Sequence, residues 1–433
     1  MFTKLFYNIL RISSIFFLSC LFLITFPRSW SLYPLGFFLF IGFILWIIYF
    51  RDLTALLRSI NILKFITPVI LYFVVNILNI IIYSQSISYL NAEFLFLLIP
   101  IFGLPLFVNL KINEFKTLLN VYVFGILISI TVLIIRVFYI VINQSYVEQI
   151  SFFKYIIINR YWFFTSHFSV FEHPSYLSMK IMWALIIVSF FSKYFKRLIR
   201  GLALILFSIA IFLLASKAAI IAWIILILIM FSGFLSRKIK NSIVEFLLVI
   251  ITTLVLLIGT YFLTNKIARI NDFVLEIKKA FTNTDINWKN LDQRTREWYC
   301  AIQLIKEKPI FGHGIEKVED RMVEEYLKNR WEEEARVRYN AHNQFLETQM
   351  TYGIPGTLSL LWMLFTPLIF RKRLMYPKLA TAFVLMMTFF LMFESMFVRQ
   401  WGIMFFTLFY CILVIPSKEL EAVPVNYAAL KNQ

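Results

Sequence analysis

The chain has 433 residues, of which 61% are hydrophobic, 18% aromatic and only 15% charged, a composition that excludes an ordinary soluble domain and indicates a polytopic membrane protein. Its net charge of +18 does not indicate nucleic-acid binding, because residues 264–343 are nearly neutral, with fifteen Lys/Arg and fourteen Asp/Glu, and the excess cations lie in short connections between apolar runs. The three cysteines are far apart, so neither a disulfide framework nor a metal site is indicated.

The apolar runs predict membrane-spanning helices. The first run follows Lys4 and Arg11 and has no small-residue cleavage site, so we expect an uncleaved helix and not a signal peptide. A helix needs roughly 20 residues to cross a bilayer. The sequence predicts an all-α polytopic protein with about twelve transmembrane helices, at residues 8–27, 35–50, 62–84, 92–110, 117–142, 174–193, 198–215, 218–235, 243–263, 344–370, 377–396 and 400–416.

Charge in the connections predicts the orientation. Residues 193–200 carry four Lys/Arg, whereas residues 85–93 carry none, and basic connections stay in the cytoplasm. The segments 143–173 and 264–343 then lie outside the cytoplasm, and both termini inside. The predicted organisation is nine helices in residues 1–263 with an outer loop at 143–173, an extracytoplasmic (periplasmic) loop at 264–343, three helices in 344–416 and a cytoplasmic tail at 417–433.

Two polar helices are predicted inside the loop 264–343. In residues 294–306, an apolar face at helical spacing comprises Trp298, Ile302 and Ile305. Residues 317–338 are predicted to form one charged helix that lies along the membrane or caps a site, with an apolar stripe of Val318, Met322, Tyr326 and Trp331.

His342 lies where this loop meets the tenth predicted helix. A histidine with a pKa near neutrality at a membrane surface suits proton transfer on a substrate that is part lipid and part polar. The alternative is a histidine that hydrogen-bonds a carbonyl where a helix begins. For His173, before Pro174, a helix cap is favoured over catalysis, and His313, between two glycines, is expected to stabilise a turn.

Cations at the outer face are few, so each is a candidate ligand for an anion. Lys217 lies in a short turn between two apolar helices, where a charge is costly unless it is paired or functional. Its alternative role is an anchor whose aliphatic stem snorkels to the interface. Arg294 and Arg296 flank the start of the first loop helix, and for them the alternative is an ordinary solvated arginine.

Charged residues also occur inside or beside apolar runs. In lipid they should pair or line a wet cavity, and most lie toward the outer ends of their helices, so we expect this cavity to open outward. A structural ion pair is favoured more strongly for Glu394 with Arg399 than for Lys180. The set comprises Arg136, Lys180, Glu347, Glu394 and Arg399.

Several short motifs occur in a set order. They are Ser216-Lys217, Arg294 four residues before Trp298, the run from Pro309 to Gly314, His342-Asn343 and the run from Gly353 to Gly356. Between about His173 and Trp401 this ordered set resembles the O-antigen ligase and O-antigen polymerase superfamily of bacterial integral-membrane glycosyltransferases, and Phe393-Glu394-Ser395 and Arg399-Gln400 also fit.

The resemblance implies a metal-independent, inverting transferase without a cofactor. It implies a multi-pass protein of the bacterial inner membrane whose active site faces the periplasm and whose donor is a glycan linked to undecaprenyl diphosphate. His342 and Arg294 would be catalytic, and Lys217 would contact the diphosphate where the family usually has arginine. Because lysine lacks the planar guanidinium fork, Arg296, Arg160 or Lys180 would share that contact, with Asn343, His173, His313, Glu347 and Arg399 in supporting positions.

Physical chemistry gives the same picture. A sugar on diphosphate has a good leaving group, so catalysis needs cations near the bridging oxygens, each worth about 4 kcal/mol at contact with an effective dielectric near 20. The acceptor hydroxyl needs a base, and His342 is the candidate. The loop shows no carboxylate-rich metal-binding cluster, which fits a reaction without Mg²⁺.

Four functions are compared with these observations. We expect transfer of a preassembled glycan onto a lipid A core sugar; the first alternative is a polymerase that joins repeat units on a growing glycan, with the same donor. A flippase or transporter should show related halves and polar groups near the midplane, and neither is evident in the sequence. A membrane-anchored binding protein would need a separate domain-like core in the loop.

Overall fold

The computed structural model describes residues 2–59, 62–191, 194–238, 251–252 and 293–415. Every regular element in these ranges is helical, as predicted. The α-helices are α1 (Phe2–Leu23), α2 (Arg28–Ile48), α3 (Phe50–Ser59), α4 (Leu63–Tyr83), α5 (Leu95–Phe107), α6 (Ile112–Val147), α7 (Phe152–Ile158), α8 (Thr165–Phe168), α9 (Pro174–Phe190), α10 (Arg197–Leu214), α11 (Lys217–Lys238), α12 (Gln293–Glu307), α13 (Val318–Lys328), α14 (Glu332–Val337), α15 (Gln344–Ile369), α16 (Pro377–Leu391) and α17 (Gln400–Leu413). Short 3₁₀ helices occur at Ile87–Leu90, Arg160–Phe163, Arg371–Arg373 and Met396–Val398.

Seven of the described helices are long and apolar enough to cross a membrane: α1, α2, α4, α6, α10, α11 and α15. Four shorter apolar helices, α5, α9, α16 and α17, coincide with four further predicted spans. The predicted span 243–263, apart from residues 251–252, lies outside the described residues, as do loop residues 264–292 and the tail 417–433. The count of twelve therefore stays a prediction.

The chain divides into two compact units. Unit 1 comprises Met1–Ile24, Ser29–Phe115 and Gln293–Gln433, and unit 2 comprises Thr25–Arg28 and Lys116–Asp292. In unit 1, α15 packs along α4 and against α12 and α16, while α17 packs on α5. In unit 2, α9 packs against α10 and α11, and nearly every side chain of α9 is buried.

The polar segment of unit 1, residues 293–343, has a hydrophobic core. The stripe predicted on residues 317–338 is buried there, but the predicted single helix is wrong, because the chain turns at Asn329–Trp331 and separates α13 from α14. Arg330 adopts a positive φ of 60°, and the Trp331 N–H donates to Tyr326 O over 2.9 Å. The core also includes Met350 of α15, so it is continuous with the membrane helix.

The face predicted for α12 needs correction. Its buried residues are Glu297, Cys300, Ala301 and Leu304, whereas Ile302 is 41% exposed. The buried face of α12 therefore contains the carboxylate of Glu297. This carboxylate is stable in the core because a side chain described below hydrogen-bonds to it.

Two of the glycine motifs pack against each other. The turn from Pro309 to Gly314 lies against α15, where the N–H of Ile354 donates to Ile310 O over 3.0 Å. Gly353 has φ 67° and ψ −157°, and a Cβ on it would lie 2.1 Å from Ile310 O. Only glycine permits both this interruption of the α15 helix and the close approach of the turn. The turn is also hydrogen-bonded from α4, by Asn79 Nδ2 to Phe311 O at 2.8 Å and Tyr83 OH to Gly312 O at 2.6 Å.

Candidate active site

The backbone around His342 is held in an uncommon conformation. His342 has φ 42°, in the left-handed region that non-glycine residues seldom occupy. Its N–H donates to Asn340 Oδ1 over 2.9 Å, and the N–H of Ala341 donates to Glu347 Oε2 over 3.0 Å. Asn343 then caps α15, because its Oδ1 accepts from the N–H groups of Phe345 and Leu346. Glu347 and Asn343 therefore serve to position the histidine.

The imidazole of His342 lies between two glutamates. Nδ1 is 2.8 Å from Oε2 of Glu297, whose side chain is fully buried, and Nε2 is 3.8 Å from Oε1 of Glu394. A carboxylate only accepts hydrogen bonds, so Nδ1 carries the proton that it donates to Glu297. Nε2, which makes no hydrogen bond to the described residues, is left with the basic lone pair. The side chain is 21% exposed, which lets a substrate reach it.

These neighbours set the pKa of His342. Burial lowers the pKa, but the hydrogen bond and charge of Glu297, together with the charge of Glu394, outweigh burial and raise it above 6.5, while the positive charge of Arg294 lowers it. Glu297 and Glu394 therefore make the imidazole a stronger base than burial alone would leave it, which suits a general base.

Arg294 and Arg296 have different surroundings. Arg296 Nη2 is 2.6 Å from Glu334 Oε1, and its guanidinium lies over the Trp331 ring, so its charge is already compensated. Arg294 is half-buried and has no ion pair within the part of the chain that the structure describes, although it is close enough to affect the pKa of His342. Arg294 is thus a cation beside His342 that is available to an anionic substrate.

Glu394 is not paired with Arg399 in the described residues, contrary to the favoured interpretation of the sequence. Its Oε1 lies 3.8 Å from His342 Nε2, and its Oε2 is buried without a hydrogen-bond partner among the described side chains and backbone. The two side chains do not pair because Glu394 is buried, whereas Arg399, which follows the 3₁₀ helix Met396–Val398, is exposed.

His313 and His173 hold local structure. His313 is 3% exposed, its Nε2 lies 2.9 Å from Leu304 O, and burial lowers its pKa. In unit 2, His173 precedes α9, and its Nδ1 accepts from the N–H of Ser175 at 3.4 Å. Both arrangements match the structural alternatives given above.

The remaining candidate cations belong to unit 2. Lys180 is fully buried, and its Nζ lies 2.7 Å from Oε1 of Glu172, an arrangement that favours a structural ion pair. Lys217 begins α11 two residues after Ala215, the C-cap of α10, which has φ 49°. Arg160 is exposed at the start of a 3₁₀ helix.

A cavity of about 520 Å³ opens beside the polar segment, entirely within unit 1. Tyr339 and Asn340 line it from the approach to His342, and Glu93 and Arg399 line it from two other connections. Among the described residues there is no group of three or more His, Cys, Asp or Glu that could hold a metal ion.

Comparison with known proteins gives a family match across much of this site. Residues 202–361 match the family model of the O-antigen ligase. Over this stretch the chain is similar to the O-antigen ligase family. The predicted superfamily is therefore confirmed over that stretch, which includes Lys217, Arg294 and His342.

An uncharacterized protein of Haemophilus influenzae (strain ATCC 51907 / DSM 11121 / KW20 / Rd) is similar to part of the chain. The two are 25% identical over 146 residues, which is 34% of this chain. The match spans about a third (35%) of the length of that curated relative.

The sequence analysis did not single out Glu297 as a site residue. The signal was available, because Glu297, Ala301 and Leu304 recur at helical spacing and would place a carboxylate on an apolar face. The predicted apolar face of Trp298, Ile302 and Ile305 placed Glu297 outside the buried side of the helix.

Proposed function

We propose that the chain is a glycosyltransferase of the O-antigen ligase type, which transfers a glycan from undecaprenyl diphosphate to an acceptor sugar at the periplasmic face of the inner membrane. The observation that carries the proposal is the hydrogen bond of His342 to the buried Glu297, with Arg294 one turn earlier on the same helix. The family match over residues 202–361 supports the same chemistry.

His342 is the general base in this proposal. Nε2 takes the proton of the acceptor hydroxyl, and the oxygen attacks the anomeric carbon from the side opposite the diphosphate, which inverts the configuration. The carboxylate of Glu297 orients the ring and stabilises the imidazolium that forms. Glu297 is therefore a positioning residue.

Arg294 meets the leaving group. As the bond between the anomeric carbon and the diphosphate oxygen breaks, the electron pair stays on undecaprenyl diphosphate, and a fixed cation stabilises that charge. Lys217 is the second cation that we assign to the diphosphate, on the resemblance alone. Arg160 and Lys180 are secondary candidates, and the pairing of Lys180 with Glu172 argues against it. The charge comes from side chains, so the reaction is proposed to need no metal.

Ligation and polymerisation share this chemistry. We favour transfer of a preassembled glycan to a lipid A core sugar, with repeat-unit polymerisation on a growing glycan as the alternative. Deletion of the gene in the source bacterium distinguishes them. Loss of all attached polymer with accumulation of lipid-linked polymer supports ligation, whereas a single attached repeat unit supports polymerisation.

The enzymatic proposal is tested with purified protein and a synthetic undecaprenyl-diphosphate glycan. Formation of the glycosylated acceptor with release of undecaprenyl diphosphate is the expected result. Movement of the intact lipid-linked glycan across a vesicle membrane, without transfer, would instead support a flippase.

A further inference from the structure

The cavity within unit 1 lies close to His342. Tyr339 lines the cavity, and its ring centroid is 5.8 Å from that of the His342 imidazole. Asn340 and Gln344 line it as well, and each is two residues from His342, a distance of at most about 7 Å along the backbone. The cavity therefore lies next to the base, although His342 itself does not line it.

The cavity wall offers hydrogen-bonding groups that the protein leaves unused. Glu93 is 8% exposed, and its Oε2 is buried without a hydrogen-bond partner among the described residues. A buried carboxylate oxygen without a donor is costly. Arg399, which also lines the cavity, is exposed and has no ion pair in the part of the chain that is described. Both residues line the cavity, so a ligand with several hydroxyl groups that binds there lies against two charged side chains.

Aromatic rings accompany these polar groups. Tyr89 and Tyr339 line the cavity together with Glu93 and Arg399, and a tyrosine presents an apolar face and a polar hydroxyl at one place. Flat apolar faces beside hydroxyl-binding groups match a pyranose ring, which has C–H faces and a hydroxyl rim. The volume of about 520 Å³ lies within the range of small-molecule sites.

We propose that this cavity binds a sugar ring of the acceptor glycan, adjacent to the ring whose hydroxyl reacts, and that Glu93 and Arg399 select it. The proposal rests on the transferase function given above. The acceptor, and not the donor, is assigned here because the cavity adjoins the residues around the base, and the base acts on the acceptor. Glu93 accepts hydrogen bonds from the sugar hydroxyls, and Arg399 donates to them.

The test uses the full-length protein in detergent with lipid-free oligosaccharide released from the lipopolysaccharide of the source bacterium. Glu93→Gln, Glu93→Leu and Arg399→Ala are each expected to raise the KM for this acceptor about tenfold, because a hydrogen bond to a charged group is lost, while the KM for the lipid-linked donor stays the same. Glu332→Gln and Arg371→Ala change exposed residues outside the cavity and are expected to leave both values unchanged.

A binding measurement separates this proposal from the proposed function. Calorimetry of the oligosaccharide with the His342→Ala variant should show binding that Glu93→Gln weakens, whether or not transfer occurs. Unchanged acceptor affinity and KM in all three cavity variants would overturn the inference, as would an effect on the donor KM alone. Failure of the wild-type protein to transfer glycan, with binding intact, would overturn the proposed function and leave the cavity as a sugar site.

Discussion

His342 Nδ1 and Glu297 Oε2 lie 2.8 Å apart although 45 residues separate them in the chain. This contact joins the start of α15 to α12, and it fixes which imidazole nitrogen is free to act. Most of the expected behaviour of the protein follows from it.

Replacement of His342 is expected to abolish transfer. His342→Ala and His342→Gln should each lower the rate at least about a hundredfold, the lower end of the usual contribution of general base catalysis. The measurement is transfer from a synthetic undecaprenyl-diphosphate glycan, with gel filtration in detergent to show that the variant is folded. His167→Ala, an exposed histidine of unit 2, should retain activity. Full activity in both His342 variants would remove this residue from the mechanism.

The acid limb of the pH profile should shift in opposite directions in two variants. His342 must be neutral to act, so the rate rises with pH through its pKa, which Glu297 raises and Arg294 lowers. Glu297→Gln removes the raising charge and should move the limb to lower pH; Arg294→Ala should move it to higher pH. The residual kcat/KM of each variant, measured from pH 5 to pH 9, roughly the range in which histidines titrate, checks the direction of both shifts. A shift in the same direction in both variants would contradict the geometry.

Replacement of Arg294 should affect activity, whereas replacement of Arg296 should affect mainly stability. Arg294→Ala should reduce transfer by about a hundredfold or more through lost stabilisation of the leaving group, with the melting temperature unchanged. Arg296→Ala breaks the contact with Glu334, so it should lower the melting temperature and affect transfer less. Thermal unfolding in detergent and transfer assays on both variants form the test. A greater activity loss in Arg296→Ala, at unchanged stability, would reverse the assignment.

Lys217 is expected to act through its charge. Lys217→Arg should keep activity and Lys217→Ala should lose about a hundredfold, because only the first retains a cation for the diphosphate. Lys196→Ala serves as the control, since Lys196 is an exposed cation at the opposite end of α10. Equal activity in the two Lys217 variants would show that this side chain only anchors the helix.

Gly353→Ala is expected to destabilise the protein by roughly 2–4 kcal/mol, since the residue needs a positive φ and its Cβ would clash with Ile310 O. Gly36→Ala is the matched control, because nothing lies within 4 Å of a Cβ at that helical position. Thermal or denaturant unfolding in detergent measures both. Equal stability of the two variants would mean that the turn and α15 are not held together as described.

The sequence predicted the helical class well, because long apolar runs need no tertiary information. It also predicted the buried stripe of residues 317–338. It did not predict the turn after Tyr326 that splits this stretch, since a positive φ at Arg330 has no signature in a run of charged residues.

The site was predicted only in part. His342 and Arg294 stood out by position and by motif, whereas Glu297 is one of many acidic residues in the loop, and its role depends on a contact across 45 residues. A structural ion pair is favoured by the sequence more strongly for Glu394 with Arg399 than for Lys180, whereas among the described residues Lys180 is the one that is paired, with Glu172. Packing brought Glu394 to His342 instead, and no local pattern encodes that choice.

The hydrogen bonds between the Pro309 to Gly314 turn and the interrupted helix α15 have a mechanical consequence. A helix that moves as a lid needs a flexible connection, but the turn that leads into α13 is fixed on two sides. Its main chain is hydrogen-bonded to α15, and the side chains of Asn79 and Tyr83 of α4 hydrogen-bond to it. Substrate entry is therefore not expected to need a movement of α13 away from α15, and a crosslink between α13 and α15 should leave the turnover number intact.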